Sequence, residues 1–200
     1  PGNVFVASLS AAGALEFAGL FTSTSAGGGL GLDLDEHGVV HIAGNFSGTT
    51  DFDPGPGTAE LTSAGGSDGF IARLDADGTY RSAHQIGGPS DDEARGAVLD
   101  AAGNLFVVGY IEGTADLHPG PEVSNRTSNG GRDAYVLKLG DDGDPVWAFV
   151  FGGSDNDRIR EAAVDAVGRV YAGGHFSATV DFEPGDGTTQ RTSNGALDPF

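Results

Sequence analysis

Three carboxylate columns recur along the chain at a spacing of 65 residues: Asp35, Asp100 and Asp165; Asp51, Asp116 and Asp181; and Asp68, Asp133 and Asp198, with Asn3 heading the third column. A catalytic centre is one asymmetric constellation, so a residue repeated in every copy serves something every copy needs. For Asp that need is a turn, because its short carboxylate accepts a hydrogen bond from the backbone N–H two residues on. The sharper alternative is calcium. Asp51 with Asp53, Asp116 with His118, and Asp181 with Glu183 each set two donors on one side of an extended segment before a Pro-Gly turn, and a hard cation takes oxygen ligands. Asp51, Asp53, Asp116, Asp181 and Glu183 are therefore the candidate calcium ligands, with His118 ill suited in the middle copy. The twelve-residue EF-hand spacing is absent.

Other chemistries find less support. The five histidines, His37, His41, His84, His118 and His175, occupy five different columns and form no zinc-type pair. There is no cysteine, which removes disulfides, thiolate metal sites and a Cys nucleophile. No Gly-x-Ser-x-Gly elbow is present, and Gly27-Gly28-Gly29 is followed by neither lysine nor helix, so it is not a phosphate loop. A glycosidase-type carboxylate pair would have to come from Asp91, Asp92, Asp155 or Asp157, which lie in turns and vanish from the first copy.

The elements that position these residues follow from the same period. Gly-x-Phe/Ile-x-x-Thr-x-Asp begins at Gly44, Gly109 and Gly174, and the strand-like pieces opening at Phe5, Phe70 and Tyr135 share the offset, with Phe200 in their column. Such regularity marks an array of interdependent units. The chain divides into a part-repeat at 1–43, repeats at 44–108 and 109–173, and a partial repeat at 174–200, together one array. Alternating apolar residues predict four strands per unit, in the middle copy Phe70–Leu74, Tyr80–Ile86, Arg95–Leu99 and Leu105–Ile111. Turns such as Asp100-Ala101-Ala102-Gly103 join them, and no helix signature occurs. The Pro-Gly stretch from Glu112 to Asp133 is too long to lack structure of its own, so a small added hairpin is expected, its best candidate strand being Thr58–Ser63 and Thr188–Ser193 in the other copies. The fold class is all-β: β-propeller blades, about three four-stranded antiparallel repeats of 65 residues, with the extra hairpin at the periphery or on one face. The single Trp, Trp147, shares a column with Phe17 and Ser82 and is read as packing.

Composition bounds the partners. With 29 acidic against 10 basic residues the net charge is -19, which repels phosphate backbones and anionic headgroups, so neither nucleic acid nor membrane insertion is expected. No run reaches the ~18 apolar residues of a spanning helix, and residues 1–20 lack the basic start of a signal peptide.

Several motifs resemble the bacterial SBBP-type β-propeller repeat family: Gly87-Gly88 with Asp91-Asp92, then Val98-Leu99-Asp100-Ala101-Ala102-Gly103-Asn104-Leu105-Phe106-Val107-Val108-Gly109, then Asp133-Ala134-Tyr135-Val136-Leu137-Lys138-Leu139. The Asp51-Phe52-Asp53-Pro54-Gly55-Pro56-Gly57 run is similar to a variant found in large secreted proteins. The first copy departs from the pattern, with Thr22-Ser23 in place of the Gly-Gly pair. The resemblance implies a propeller fold and an extracellular or cell-surface location, and carries no catalytic residues. The expected function is a non-enzymatic structural or interaction module that self-associates blade to blade, as a ring or head-to-tail filament, or continues in further blades of a longer chain. The alternative is a carbohydrate-binding propeller with Tyr80, Tyr110 or Trp147 on an exposed rim; a glycosidase or lyase is the remaining one.

Overall fold

The computed structural model describes residues 2–183, 187–195 and 197–200, and every regular element in them is a strand. In chain order these are β1 (Val4–Leu9), β2 (Leu15–Ser23), β3 (Gly27–Leu34), β4 (Val40–Phe46), β5 (Thr49–Asp51), β6 (Glu60–Thr62), β7 (Asp68–Leu74), β8 (Tyr80–Ile86) and β9 (Glu93–Leu99). There follow β10 (Leu105–Asp116), β11 (Asn125–Leu139), β12 (Pro145–Phe151), β13 (Arg158–Val164), β14 (Val170–Phe176), β15 (Thr179–Asp181), β16 (Gln190–Thr192) and β17 (Asp198–Pro199). Sheet I is β3-β4-β7-β8 and sheet II is β9-β10-β11-β12, both antiparallel throughout. Sheet III is β13-β14-β17, and β1-β2 form a hairpin ahead of sheet I.

The alternating pattern makes these sheets two-faced, and the facing sides of successive sheets are buried against each other. Val4, Val6 and Phe21 of the β1-β2 hairpin share a core with Phe46, Phe70 and Leu74 of sheet I. Ala43, Ile71 and Ile86 of sheet I meet Leu105, Tyr135 and Leu137 of sheet II. Phe106, Val108 and Val136 of sheet II meet Ile159 of sheet III. The first strands β3, β9 and β13 pack in succession. There Gly31 is required by close approach, since a Cβ on it would lie 2.6 Å from the Ala97 nitrogen.

One four-residue box recurs at every junction. It takes a residue from the last strand of the preceding sheet, one from the second strand, one from the Pro-Gly excursion and one from the third strand. At the first junction these are Phe21, Phe46, Phe52 and Phe70, with Phe52 and Phe70 ring centroids 4.8 Å apart. At the second they are Ile86, Ile111, Leu117 and Tyr135, all 1% exposed or less. At the third they are Phe151, Phe176, Phe182 and Phe200, again in edge and tilted contacts of 5.1 to 6.4 Å.

The excursion is a hairpin, as the sequence predicts. β5 pairs with β6 and β15 with β16, while in the middle copy the hairpin is continuous with long β10 and β11. Its threonines Thr49 and Thr62, Thr114 and Thr127, and Thr179 and Thr192 stand hydroxyl to hydroxyl at 2.8 Å in all three copies. The hairpin reaches back to the preceding sheet: Thr22 and Ser23 of β2 pair with Asp51 and Thr50 of β5, and Gly87 exchanges two backbone hydrogen bonds with Asp116.

The grouping of strands needs correction. Phe70–Leu74 and Tyr80–Ile86 close sheet I, whereas Arg95–Leu99 and Leu105–Ile111 open sheet II, so the four strands read as one unit are split between two sheets. A period fixes the length of a unit and leaves its phase free. The break falls in the loop from Gly87 to Asp92, and the boundaries at 44, 109 and 174 lie inside β4, β10 and β14.

Candidate functional site

The recurring carboxylates are built into turns. Asp35 Oδ1 accepts from the His37 and Val39 amides at 2.8 and 2.9 Å. Asp100 Oδ1 accepts from Ala102 and Asn104 at 2.9 Å each, and Asp165 Oδ1 from Val167 and Arg169 at 3.0 and 2.9 Å. Each loop ends on a glycine with φ near +80°, namely Gly38, Gly103 and Gly168, a conformation that a side chain disfavours. Burial pushes the Asp35 and Asp100 carboxyls up, but the hydrogen bonds they accept outweigh it and hold both below the usual carboxylate value.

The candidate calcium ligands do the same work one strand later. Asp51 Oδ1 accepts from the Asp53 and Ala59 amides at 3.0 and 2.8 Å, Asp116 Oδ1 from His118 and Ser124 at 2.9 and 2.8 Å, and Asp181 Oδ1 from Glu183 and Thr189 at 3.1 and 2.8 Å. Asp53 Oδ1 accepts from Gly55 at 2.7 Å, and His118 Nδ1 accepts from Gly120 at 3.0 Å. Histidine in the middle copy is thus an acceptor equivalent to Asp53. The Glu183 carboxylate is exposed, and Pro184, Gly185 and Asp186 lie outside the described residues. Among the described residues no group of three or more His, Asp or Glu side chains is arranged to hold a metal ion.

The third column is different, because two of its acids are buried, while Asp198 is half-buried and accepts from the Asn194 amide at 2.7 Å. Asp68 and Asp133 are both 0% exposed. Asp68 Oδ2 accepts from the Ala64 amide and the Gln85 side chain, and Asp133 Oδ2 from the Asn129 amide at 2.9 Å, while Oδ1 of each has no hydrogen-bond partner. Near them, Asp92 accepts from Gly88 and Glu112 at 2.7 and 3.0 Å, and Asp157 from Gly153 and Ser177 at 2.7 and 2.8 Å. Burial first, then the neighbouring carboxylate, raises all four; Asp92 and Asp133 are pushed up to about 6. Of the four acids considered for glycoside chemistry, Asp92 and Asp157 are committed to these loops, Asp91 pairs with Arg132 at 3.1 Å, and Asp155 is exposed.

A cleft lies where the first-to-second-strand turns of sheets I and II converge. It encloses about 720 Å³ and is lined by Asp35, His41, Arg73, Arg81, Asp100 and Asp141 among others. Asp33 Oδ2 bridges the sheets by accepting from the Leu99 amide at 2.8 Å. His41 is 5% exposed, 3.9 Å from Asp35, with Nδ1 unpartnered; burial, then Arg73, keeps it below the ordinary histidine value and so neutral at pH 7. Arg73 has no carboxylate within 4.0 Å among the described residues, although Asp141, Asp35 and Asp142 surround it. The cleft offers planar donors on an acidic rim, a lining suited to hydroxyl-rich ligands. The sequence did not mark it because its residues come from two sheets and three turns.

Of the expected aromatic rim, Tyr110 is buried at 6% exposure, whereas Tyr80 and Trp147 are half-buried: Tyr80 packs against the first core, and Trp147 lies on Phe106 and Phe149 with centroids at 5.9 and 5.0 Å.

No protein-family profile matches the chain. It is similar to the regulatory protein FlaEY of Caulobacter vibrioides, at 29% identity over 158 residues, covering 77% of this chain. The match spans only 16% of that protein's length.

Proposed function

We propose that this chain is a non-enzymatic structural and interaction module of β-propeller blades, from a secreted or cell-surface protein, that associates through its sheet faces with further blades of its own kind. One observation carries the reading. Phe5 is 74% exposed, whereas Phe70 and Tyr135 in the same column are 0% and 1% exposed beneath the preceding sheet. Leu9, at 63%, stands in the same relation to Leu74 and Leu139. Leu30, Leu32 and Leu34 of β3 are exposed as well. An apolar face of this kind calls for a covering surface, and the repeat says what fits: the face of another such sheet. A second copy supplies it as a ring or head-to-tail filament, and a longer chain supplies it as the preceding blade. Light scattering of the 200-residue chain across a dilution series is the test. Dimers or larger species are expected, and a folded monomer at every concentration overturns self-association.

A second reading, carbohydrate binding, is favoured by the inter-sheet cleft with Arg73 and its acidic rim. Glycan-array binding that Arg73→Met abolishes is the result expected of it, and an array without a signal removes it.

A further inference from the structure

Basic side chains are scarce, ten Lys and Arg in all, yet four arginines gather at one end of the junction between sheets II and III. Arg132 and Arg158 both lie on the Tyr110 ring, their guanidinium carbons 4.7 and 5.2 Å from its centroid. Arg158 is paired in register with His175, and Arg160 donates from Nε to His175 Nδ1 at 3.4 Å. Arg95 stands in the same column as Arg160, one sheet earlier, and acts electrostatically on His175 together with both. Two of the four are neutralised: Arg132 by Asp91 and Glu112 at 3.1 and 3.0 Å, and Arg95 by Glu93 at 2.8 Å. Arg158 and Arg160 have no carboxylate within 4.0 Å among the described residues, and Arg158 Nε is buried with no hydrogen-bond partner at all. 

The constellation also breaks the repeat. Its columns read Gly28, Glu93, Arg158; Leu30, Arg95, Arg160; and Asn45, Tyr110, His175. What every unit needs recurs in every unit, as the turn carboxylates do, so residues absent from at least one unit are free to serve a single site. A partly desolvated guanidinium with an unused donor is costly unless an acceptor meets it, and the planar fork of arginine matches an oxyanion. In a chain of net charge -19 a long polyanion is repelled, which leaves a small ligand bearing one such group.

We propose that Arg158 and Arg160, backed by Arg95 and His175, form a binding site for the oxyanion group of a small ligand, a carboxylate, sulfate or phosphate. Burial, then Arg160, Arg158 and Arg95, holds His175 below the ordinary histidine value. A bound anion cancels the arginine field and raises it, so His175 reports occupancy.

The experiment is an NMR titration of the His175 ring protons in the 200-residue chain against glucuronate, sulfate and phosphate in turn, at constant ionic strength. A saturable shift and a rise in the His175 pKa are expected with at least one anion below about 50 mM, a range in which a millimolar site fills. The anion that saturates first identifies the group. Arg160→Gln, at an exposed position, is expected to weaken that binding by about tenfold or more, as loss of a charge-assisted pair does. Arg126→Gln, a half-buried arginine outside this cluster, serves as the control and is expected to leave it unchanged. The proposal is overturned if no anion saturates, or if Arg160→Gln and Arg126→Gln bind like the parent chain.

Discussion

At the scale of single residues, the recurring acids are backbone acceptors whose loss has a calculable cost. Asp116→Ala leaves the His118 and Ser124 amides without their partner. The expected destabilisation is about 1–3 kcal/mol by urea unfolding. His118→Asp recreates the acceptor used by Asp53 and is expected to stay within about 0.5 kcal/mol of the parent. The sequence made these columns legible because a turn is local: the donor lies two to eight residues from the acceptor. It did not reveal that Asp68 and Asp133 are buried, since recurrence reads the same for a surface turn and an interior acid. Nor did it reveal the Tyr110 cluster, whose members come from five strands and share no motif.

At the scale of elements, each junction depends on its four-residue box and its buried acids. Phe52→Ala is expected to cost about 3–5 kcal/mol, as removal of a fully buried ring does, whereas Phe52→Leu, the kind of residue that Leu117 supplies in the same column, is expected to cost under about 1.5 kcal/mol. The acids predict an unusual pH profile. Asp92 and Asp133 have folded-state values raised to about 6, so their contribution is fully present below the unfolded carboxylate value and is lost as pH rises through 6. Asp35 and Asp100 are lowered, so theirs is present above the unfolded value and lost as pH falls through their lower folded values. The melting temperature is therefore expected to peak at about pH 4, where the two windows meet, and to fall from there to about pH 6. Asp133→Asn retains the acceptor for Asn129 and is expected to flatten the alkaline limb. A melting temperature that rises steadily from pH 5 to pH 8 contradicts this account. Strand existence and the extra hairpin were readable from alternation and turn residues. The membership of each sheet was not, because pairing between β4 and β7 or β10 and β11 is settled by contacts across the long excursion rather than by neighbours in sequence.

At the scale of the whole molecule, the exposed residues of β1 and β3 govern association. Phe5→Asp with Leu32→Asp places charge on the apolar face without touching the junction cores. Light scattering is expected to show a shift to monomer, while the melting temperature changes by no more than a few degrees, as surface substitutions do. The double variant associating like the parent would show that another surface is responsible.

The backward reach of the excursion hairpin bears on how such a chain is made. β2 gains its outermost neighbour only when β5 exists, and Gly87 gains Asp116 in the same way. During synthesis, then, a sheet whose strands have all left the ribosome still lacks its clasp, and the next unit must emerge before it is fastened. Assembly is directional, each unit locking the one before it, and a nascent array always carries one loose sheet at its growing end.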